Sequence, residues 1–195
     1  SDGIYMMFNG EIFNYDQQKF SSDTEYLCNL FSNYRGSGLQ FFSAMYLPHI
    51  QTWDGFWAIV IYNSKNGDVI AFTDPLGKKC LYKNELGEIC SEIKGLFTNQ
   101  SEIDHTYISS VRKWGYNKDE RTPYQNIKRI LPNNLYFYNI GSPIFNQIFP
   151  IYHRSWESPI KSLIGADYET HMEWLWDKMV DSVKCRLVSK NYPTS

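Results

Sequence analysis

The fold is decided by Met7-Phe8-Asn9-Gly10-Glu11-Ile12-Phe13-Asn14-Tyr15, followed a few residues later by Ser22-Asp23-Thr24-Glu25. Residues 4–8 are bulky and apolar and predict a strand. Asn-Gly is the commonest short hairpin signal, so the pair at 9–10 predicts a turn of the backbone. Ser22 and Glu25 stand at capping-box spacing, which predicts a helix that starts after Ser22. Together the two pieces also set a side-chain amide beside an unhindered backbone N–H, with two carboxylates close by in sequence. Glycine at 10 lets a ligand approach the backbone closely. Asn9 and Gly10 could therefore donate to an oxyanion, and Glu11 and Asp23 could pair with an ammonium. Each group has a plainer reading when taken singly. Asn9-Gly10 is then a hairpin turn, Asp23 a first-turn acid facing the helix dipole, and Glu11 a solvated charge at a strand end.

Working outward, Leu27, Leu30, Phe31 and Tyr34 share one helical face, and Arg35-Gly36-Ser37-Gly38 is read as the end of that helix. A second short helix is expected over 39–47, stopped by Pro48. Residues 56–62 form a continuous apolar run, typical of a strand buried on both faces, and Asn66-Gly67 turns the chain into a strand over 69–73. Asp74-Pro75-Leu76-Gly77 is a further turn, and strands over 80–83 and 88–90 flank Gly87. Short helices are expected from Ser91 to near Phe97 and over 108–114, with late strands over 135–140 and 144–152. This mixture predicts an α+β domain whose antiparallel sheets are joined by hairpins.

A polar stretch containing Pro159 and Gly165 reads as a linker. Residues 168–188 then read as one helix, with Met172, Leu175, Met179, Val183 and Leu187 in an apolar stripe widened by Trp176 and Val180. Such a helix at a chain end has nothing of its own to pack against. It is read as the opening of a second domain, the other reading being that it docks back on the first. The expected division is 1–155 for the main domain, 156–166 for the linker and 167–195 for the start of the second domain.

The 195 residues suffice for one domain and part of another, and 43% hydrophobic with 17% aromatic residues argues against disorder. The net charge of −2 is spread along the chain without a basic block, so no nucleic-acid partner is expected. No apolar run has the length of a membrane span, and no signal peptide is visible. Cys28, Cys80, Cys90 and Cys185 lack CxxC spacing, and their scatter suits reduced thiols in the cytoplasm. The four histidines show no metal-ligand spacing, so no metal or other cofactor is expected within this chain. The opening on Ser1 rather than Met is read as a cut.

Several segments carry a resemblance to the asparagine synthetase family, glutamine-hydrolysing, whose first domain is a class II glutamine amidotransferase. Asn9-Gly10-Glu11-Ile12-Phe13-Asn14-Tyr15 resembles its N-G-E-I-Y-N-Y, and Ser22-Asp23-Thr24-Glu25 its S-D-T-E. Asp54-Gly55-Phe56-Trp57-Ala58 is similar to the G-x-F-A strand, and Asp74-Pro75-Leu76-Gly77-Lys78-Lys79-Cys80-Leu81-Tyr82 to R-D-x-x-G-x-K-P-L-Y. Ser91-Glu92-Ile93-Lys94-Gly95-Leu96 resembles S-E-I-K-A-L, and Ile127-Lys128-Arg129-Ile130-Leu131-Pro132 the I-x-x-L-P-P-G turn. Ser182-Val183-Lys184-Cys185-Arg186-Leu187 looks like the A-V-x-x-R-L helix before the synthetase nucleotide loop. The segments occur in the family's order. Other class II amidotransferases share the Asn-Gly pair, but Glu11-Ile12 and the late Arg186-Leu187 point to this family.

The resemblance implies the four-layer αββα sandwich of N-terminal-nucleophile hydrolases. It implies Asn9 and Gly10 as oxyanion hole, and Glu11 and Asp23 as ligands of the glutamine amino group. L-glutamine would be the substrate, hydrolysed by the thiol of a first-residue cysteine with its own α-amine as base. Ammonia would pass to aspartate, activated by ATP with magnesium in the second domain, and a homodimer is allowed for. The family's Cys-Gly-Ile start and its Arg-containing glutamine loop precede the strand at Ile4 and do not occur here, nor does the nucleotide loop expected after Ser195. Thr73 stands where the family has Arg, and Cys80 where it has Pro. Two other readings follow from these departures. One is a nucleophile-free remnant that binds glutamine or a protein partner. The other is the amidotransferase domain of a related amide-forming enzyme.

Overall fold

The computed structural model describes residues 3–32, 34, 38–151 and 163–187, with 142–149 as backbone only. In chain order the first elements are β1 (Ile4–Ile12), α1 (Asp23–Phe31), α2 (Gly38–Ile50), β2 (Gly55–Asn63) and β3 (Asp68–Thr73). They are followed by β4 (Tyr82–Asn84), β5 (Ile89–Cys90), a 3-10 turn (Ile93–Gly95), α3 (His105–Trp114), β6 (Ile127–Arg129), β7 (Asn134–Asn139), β8 (Ser142–Pro150) and α4 (Tyr168–Arg186). The chain divides into two compact units, Ser1–Tyr152 and His153–Ser195.

The first unit is a mixed α/β fold with antiparallel sheets. Five strands form one sheet in the order β1-β2-β3-β7-β8, and three form a smaller sheet in the order β5-β4-β6. Side chains alternate across β2, as a strand dictates. Trp57, Ile59 and Ile61 enter a core with Ile12, Ile70 and Phe72, which Leu27 and Phe31 of α1 and Phe42, Tyr46 and Ile50 of α2 cover. Ala58 and Val60 face the other way and pack with Val69, Ala71, Tyr136 and Tyr138 against Leu81 and Ile130, which flank the smaller sheet. β2 is thus buried on both faces, as its apolar run predicts, and β3 is buried on both faces as well. Each buried Val, Ile or Phe side chain there contributes about 1.5–3 kcal/mol relative to exposure.

The expected turn at Asn9-Gly10 is absent. β1 runs straight through it, with Ile4 opposite Asn63 and Ile12 opposite Gly55 in one unbroken register. Pairing on both sides of Asn9 with a strand some fifty residues on overrides the local turn preference. Gly10 keeps a backbone that other residues avoid, φ 150°, and a Cβ there would lie 2.1 Å from the Phe56 carbonyl oxygen. The capping box is half as expected. Ser22 Oγ accepts from Glu25 N–H at 3.1 Å, but the Glu25 carboxylate accepts from the N–H and hydroxyl of Ser21 rather than from Ser22 N–H.

Two helix ends also differ. α1 stops at Phe31, so Tyr34 lies beyond it, although buried; the predicted stop at 35–37 falls outside the described residues. α2 continues through Pro48. Proline forfeits only one helical hydrogen bond so near the end, while Gln51 N–H bonds the Leu47 carbonyl at 2.9 Å and Ile50 is wholly buried. α2 begins at Gly38, whose N–H donates to Asp68 Oδ2 on β3 at 2.9 Å. The turn after Ser91 is a single 3-10 turn that ends at Gly95, short of Phe97.

In the second unit, Asp167 caps α4 by accepting from Thr170 N–H at 2.8 Å. Met172, Leu175, Trp176, Met179 and Val183 on this helix are all exposed. Residues 156–162 of the expected linker, and the helix end expected at 188, lie outside the described residues.

Candidate active site at the edge of the larger sheet

β1 is the outermost strand of the larger sheet, and its hydrogen-bond alternation sets the site. Phe13 N–H donates to the Asp54 carbonyl at 2.8 Å, so Phe13, Glu11 and Asn9 turn their backbone groups toward β2. Gly10 and Ile12 then turn theirs toward the open edge. Ile12 does so visibly, since its N–H donates to Asp23 Oδ2 at 3.1 Å. No strand pairs with that edge among the described residues, and Gly10 presents an N–H donor there.

Asp23 is positioned by both of its neighbours. Oδ2 takes the Ile12 N–H, and Oδ1 takes the Thr24 N–H at 2.7 Å. Its carboxylate therefore sits at the junction of β1 and α1, two residues along the edge from Gly10. Tyr15 lies nearby; burial foremost, and the Asp23 charge second, push its hydroxyl pKa above the ordinary value.

Side chains of Asn9 and Glu11 project from the exposed face of β1. Neither forms a side-chain hydrogen bond or ion pair among the described residues. A cavity of about 270 Å³ opens beside Asn9, between Met7, Ala58 and Val60 of the larger sheet and Leu81, Ile89, Cys90 and Ser91 beyond it. The structure thus gathers all four predicted site residues at one end of one strand, Gly10 and Asp23 along its edge and Asn9 and Glu11 on its face. A neutral amide donor, a backbone donor and two carboxylates there are a set that can steady an oxyanion and hold an ammonium. None of the four cysteines forms a disulfide; Cys28 is exposed on α1, and Cys90 lines the cavity.

Several contributors escape a reading by sequence. Asn14, within the opening motif, is a fastener: its amide donates to the Thr52 carbonyl at 2.8 Å and accepts from Asp54 N–H at 2.9 Å. Gly55 must be small because a Cβ would meet the Glu11 carbonyl oxygen at 2.1 Å. The buried Asp74 carboxylate gathers the N–H groups of Leu76, Lys78 and Lys79 at 3.0–3.2 Å and so fixes the loop after β3. That loop lays the ammonium groups of Lys78 and Lys79 over the ring of Phe56. The turn at 74–77 signals the loop, but nothing local to it signals Phe56.

A family model described as a glutamine amidotransferase domain matches residues 1–144. The chain belongs to that family. Among solved structures, the chain is similar to glutamine phosphoribosylpyrophosphate amidotransferase from B. subtilis complexed with ADP and GMP, at 18% identity and a TM-score of 0.47 over 77% of this chain and 30% of that one. It is also similar to an allosteric regulatory enzyme of purine biosynthesis, at 17% identity and a TM-score of 0.48 over 77% of this chain and 29% of that one. The chain therefore spans less than a third of the length of either. No curated protein matches it. Among the described residues, no helix of this amidotransferase domain or of the unit after it is long and apolar enough to cross a membrane.

Proposed function

We propose that this chain is the glutaminase part of a glutamine-dependent asparagine synthetase. The observation that carries the reading is the convergence of the Asn9 amide, the Gly10 edge N–H, Glu11 and Asp23 at the end of β1. The extended resemblance from Asn9 to Leu187 supports asparagine as the product. In this reading, Asn9 and Gly10 steady the oxyanion as the γ-amide is attacked, and Glu11 and Asp23 hold the α-ammonium. The nucleophile is the first-residue cysteine of a longer native product, with its α-amine as base. Ammonia then reaches an aspartate that ATP and magnesium activate in a synthetase domain.

The helical layer, the larger sheet and the smaller sheet of the first unit are compatible with a four-layer αββα sandwich. The exposed apolar stripe of α4 supports the reading of residues 167–195 as the opening of that second domain, after a first domain over 1–155 and a linker over 156–166. The cytoplasm is the compartment that suits four cysteines without a disulfide.

The test is the native gene product, assayed with glutamine, aspartate and ATP. A chain that starts with Cys and converts aspartate to asparagine at the expense of glutamine is expected. Glutamine hydrolysis with transfer to another acceptor would replace the asparagine assignment. A native product of about this mass that starts near Ser1 would overturn N-terminal-nucleophile catalysis and leave a binding role.

A further inference from the structure

We infer that Asn14 and Tyr26 are positioning residues for the amino-acid substrate: they tie β1 and α1 to one short stretch, residues 52–54, and so fix Glu11 and Asp23 relative to each other. The inference rests on the amidotransferase reading and deepens it. The chain leaves β1 at Ile12 and returns at Asp23, the first residue of α1. At its base this excursion is closed by Ile12 N–H, which donates to Asp23 Oδ2 at 3.1 Å. A single hydrogen bond leaves strand and helix free to pivot about it, so it does not by itself set their spacing.

Residues 52–54, between α2 and β2, hold both sides. On the strand side, the Asn14 amide donates to the Thr52 carbonyl at 2.8 Å and accepts from Asp54 N–H at 2.9 Å, and Phe13 N–H donates to the Asp54 carbonyl at 2.8 Å. On the helix side, the Trp53 indole N–H donates to the Tyr26 hydroxyl at 3.1 Å. Tyr26 follows Asp23 by three residues, so both lie on one helix face. Trp53 is a firm post for these ties. It is buried, with its ring edge-on to Trp57 at 5.3 Å and stacked on Phe72 at 6.4 Å. The Asn14 bonds, by contrast, lie at an exposed strand end, where water can replace a hydrogen bond at small net cost. Water cannot replace the fixed geometry that the bonds impose. Two carboxylates that share one ammonium need that geometry, and a receptor positioned in advance loses less on binding.

The experiment uses the full-length enzyme and follows hydrolysis of L-glutamine and of glutaramate, which is glutamine without its α-amino group. The wild type should prefer L-glutamine. Asn14→Ala removes the strand-side tie, and Tyr26→Phe keeps the ring but removes the acceptor for the Trp53 N–H. Each variant should raise KM for L-glutamine by about tenfold, the scale of one charge-assisted contact, with kcat little changed, the pattern of lost uniform binding. The kcat/KM for glutaramate, which offers the two carboxylates no ammonium, should stay where it was. Should Asn14→Ala fail to fold, Tyr26→Phe carries the same comparison. Equal losses on both substrates, or an unchanged KM for L-glutamine in a folded variant, would overturn the proposal. A wild type that hydrolyses glutaramate as well as L-glutamine would remove Glu11 and Asp23 as the ammonium grip. One that hydrolyses neither would sink the amidotransferase reading, and this proposal with it.

Discussion

Asn9 and Gly10 are adjacent, yet they answer to different constraints. Gly10 is held by sterics: its φ of 150° and the 2.1 Å approach of an added Cβ to the Phe56 carbonyl leave no room for a side chain. Gly10→Ala should therefore lower stability by about 1–3 kcal/mol from backbone strain alone, read as a lower urea midpoint; an unchanged midpoint would mean that β1 and β2 part freely. Asn9 is exposed and its replacement should leave the fold intact. Asn9→Ala in the full-length enzyme should lower kcat by roughly 10²–10³-fold with little change in KM, and the reverse pattern would remove Asn9 from the oxyanion hole. Asp23→Asn should abolish glutamine binding, and retained affinity measured by calorimetry would count against the site. The Asn-Gly pair reads locally as a turn, and the structure runs straight through it. Turn preference is written locally, whereas the strand that overrides it is some fifty residues away. Phe56 beneath Lys78 was invisible for the same reason.

At the scale of elements, the two helices over the sheet are started in different ways. α1 carries its own start signal, Ser22, and Ser22→Ala should cost about 0.5–2 kcal/mol. α2 borrows its acceptor from β3, since the buried Asp68 carboxylate takes Gly38 N–H at 2.9 Å together with the side-chain amides of Asn66 and Asn139 at 3.0 Å. Asp68→Ala strands these donors and should cost about 2–3 kcal/mol, so the two substitutions should be clearly separated in a denaturant series. A loss at Asp68 no larger than at Ser22 would show that water replaces the carboxylate. The local cap could be read from spacing; the remote one could not. The end of α2 misled for a related reason, because Pro48 marks a boundary only when the following residue is not anchored as Ile50 is.

For the first unit as a whole, its class was legible from apolar runs separated by turn residues, and burial of both faces of β2 followed from its continuous apolar run. Strand order was not, because β7 joins β3 across the whole of the smaller sheet. The core that results is rich in tyrosine. Burial foremost raises the hydroxyl pKa values of Tyr34, Tyr46, Tyr136 and Tyr138 above the ordinary value, with the charge of Asp68 adding to it at Tyr34. The unfolded chain ionises these groups near pH 10 while the folded chain keeps its protons. Their contribution to stability is thus complete below about pH 10 and is lost as pH rises through the raised folded values. Phenolate absorbance and unfolding should therefore rise together in that alkaline range; full ionisation with near-ultraviolet dichroism intact would contradict it.

The way Asp23 is held has a consequence for how occupancy could be watched. Its two oxygens grip the amide protons of Ile12 and Thr24, one on the strand and one on the helix. Those protons can trade with solvent only when the carboxylate lets go. A ligand that anchors on the same carboxylate makes letting go rarer, so deuterium should enter these two positions more slowly as the site fills. The junction doubles as a clock that ticks with binding and needs no turnover to be read.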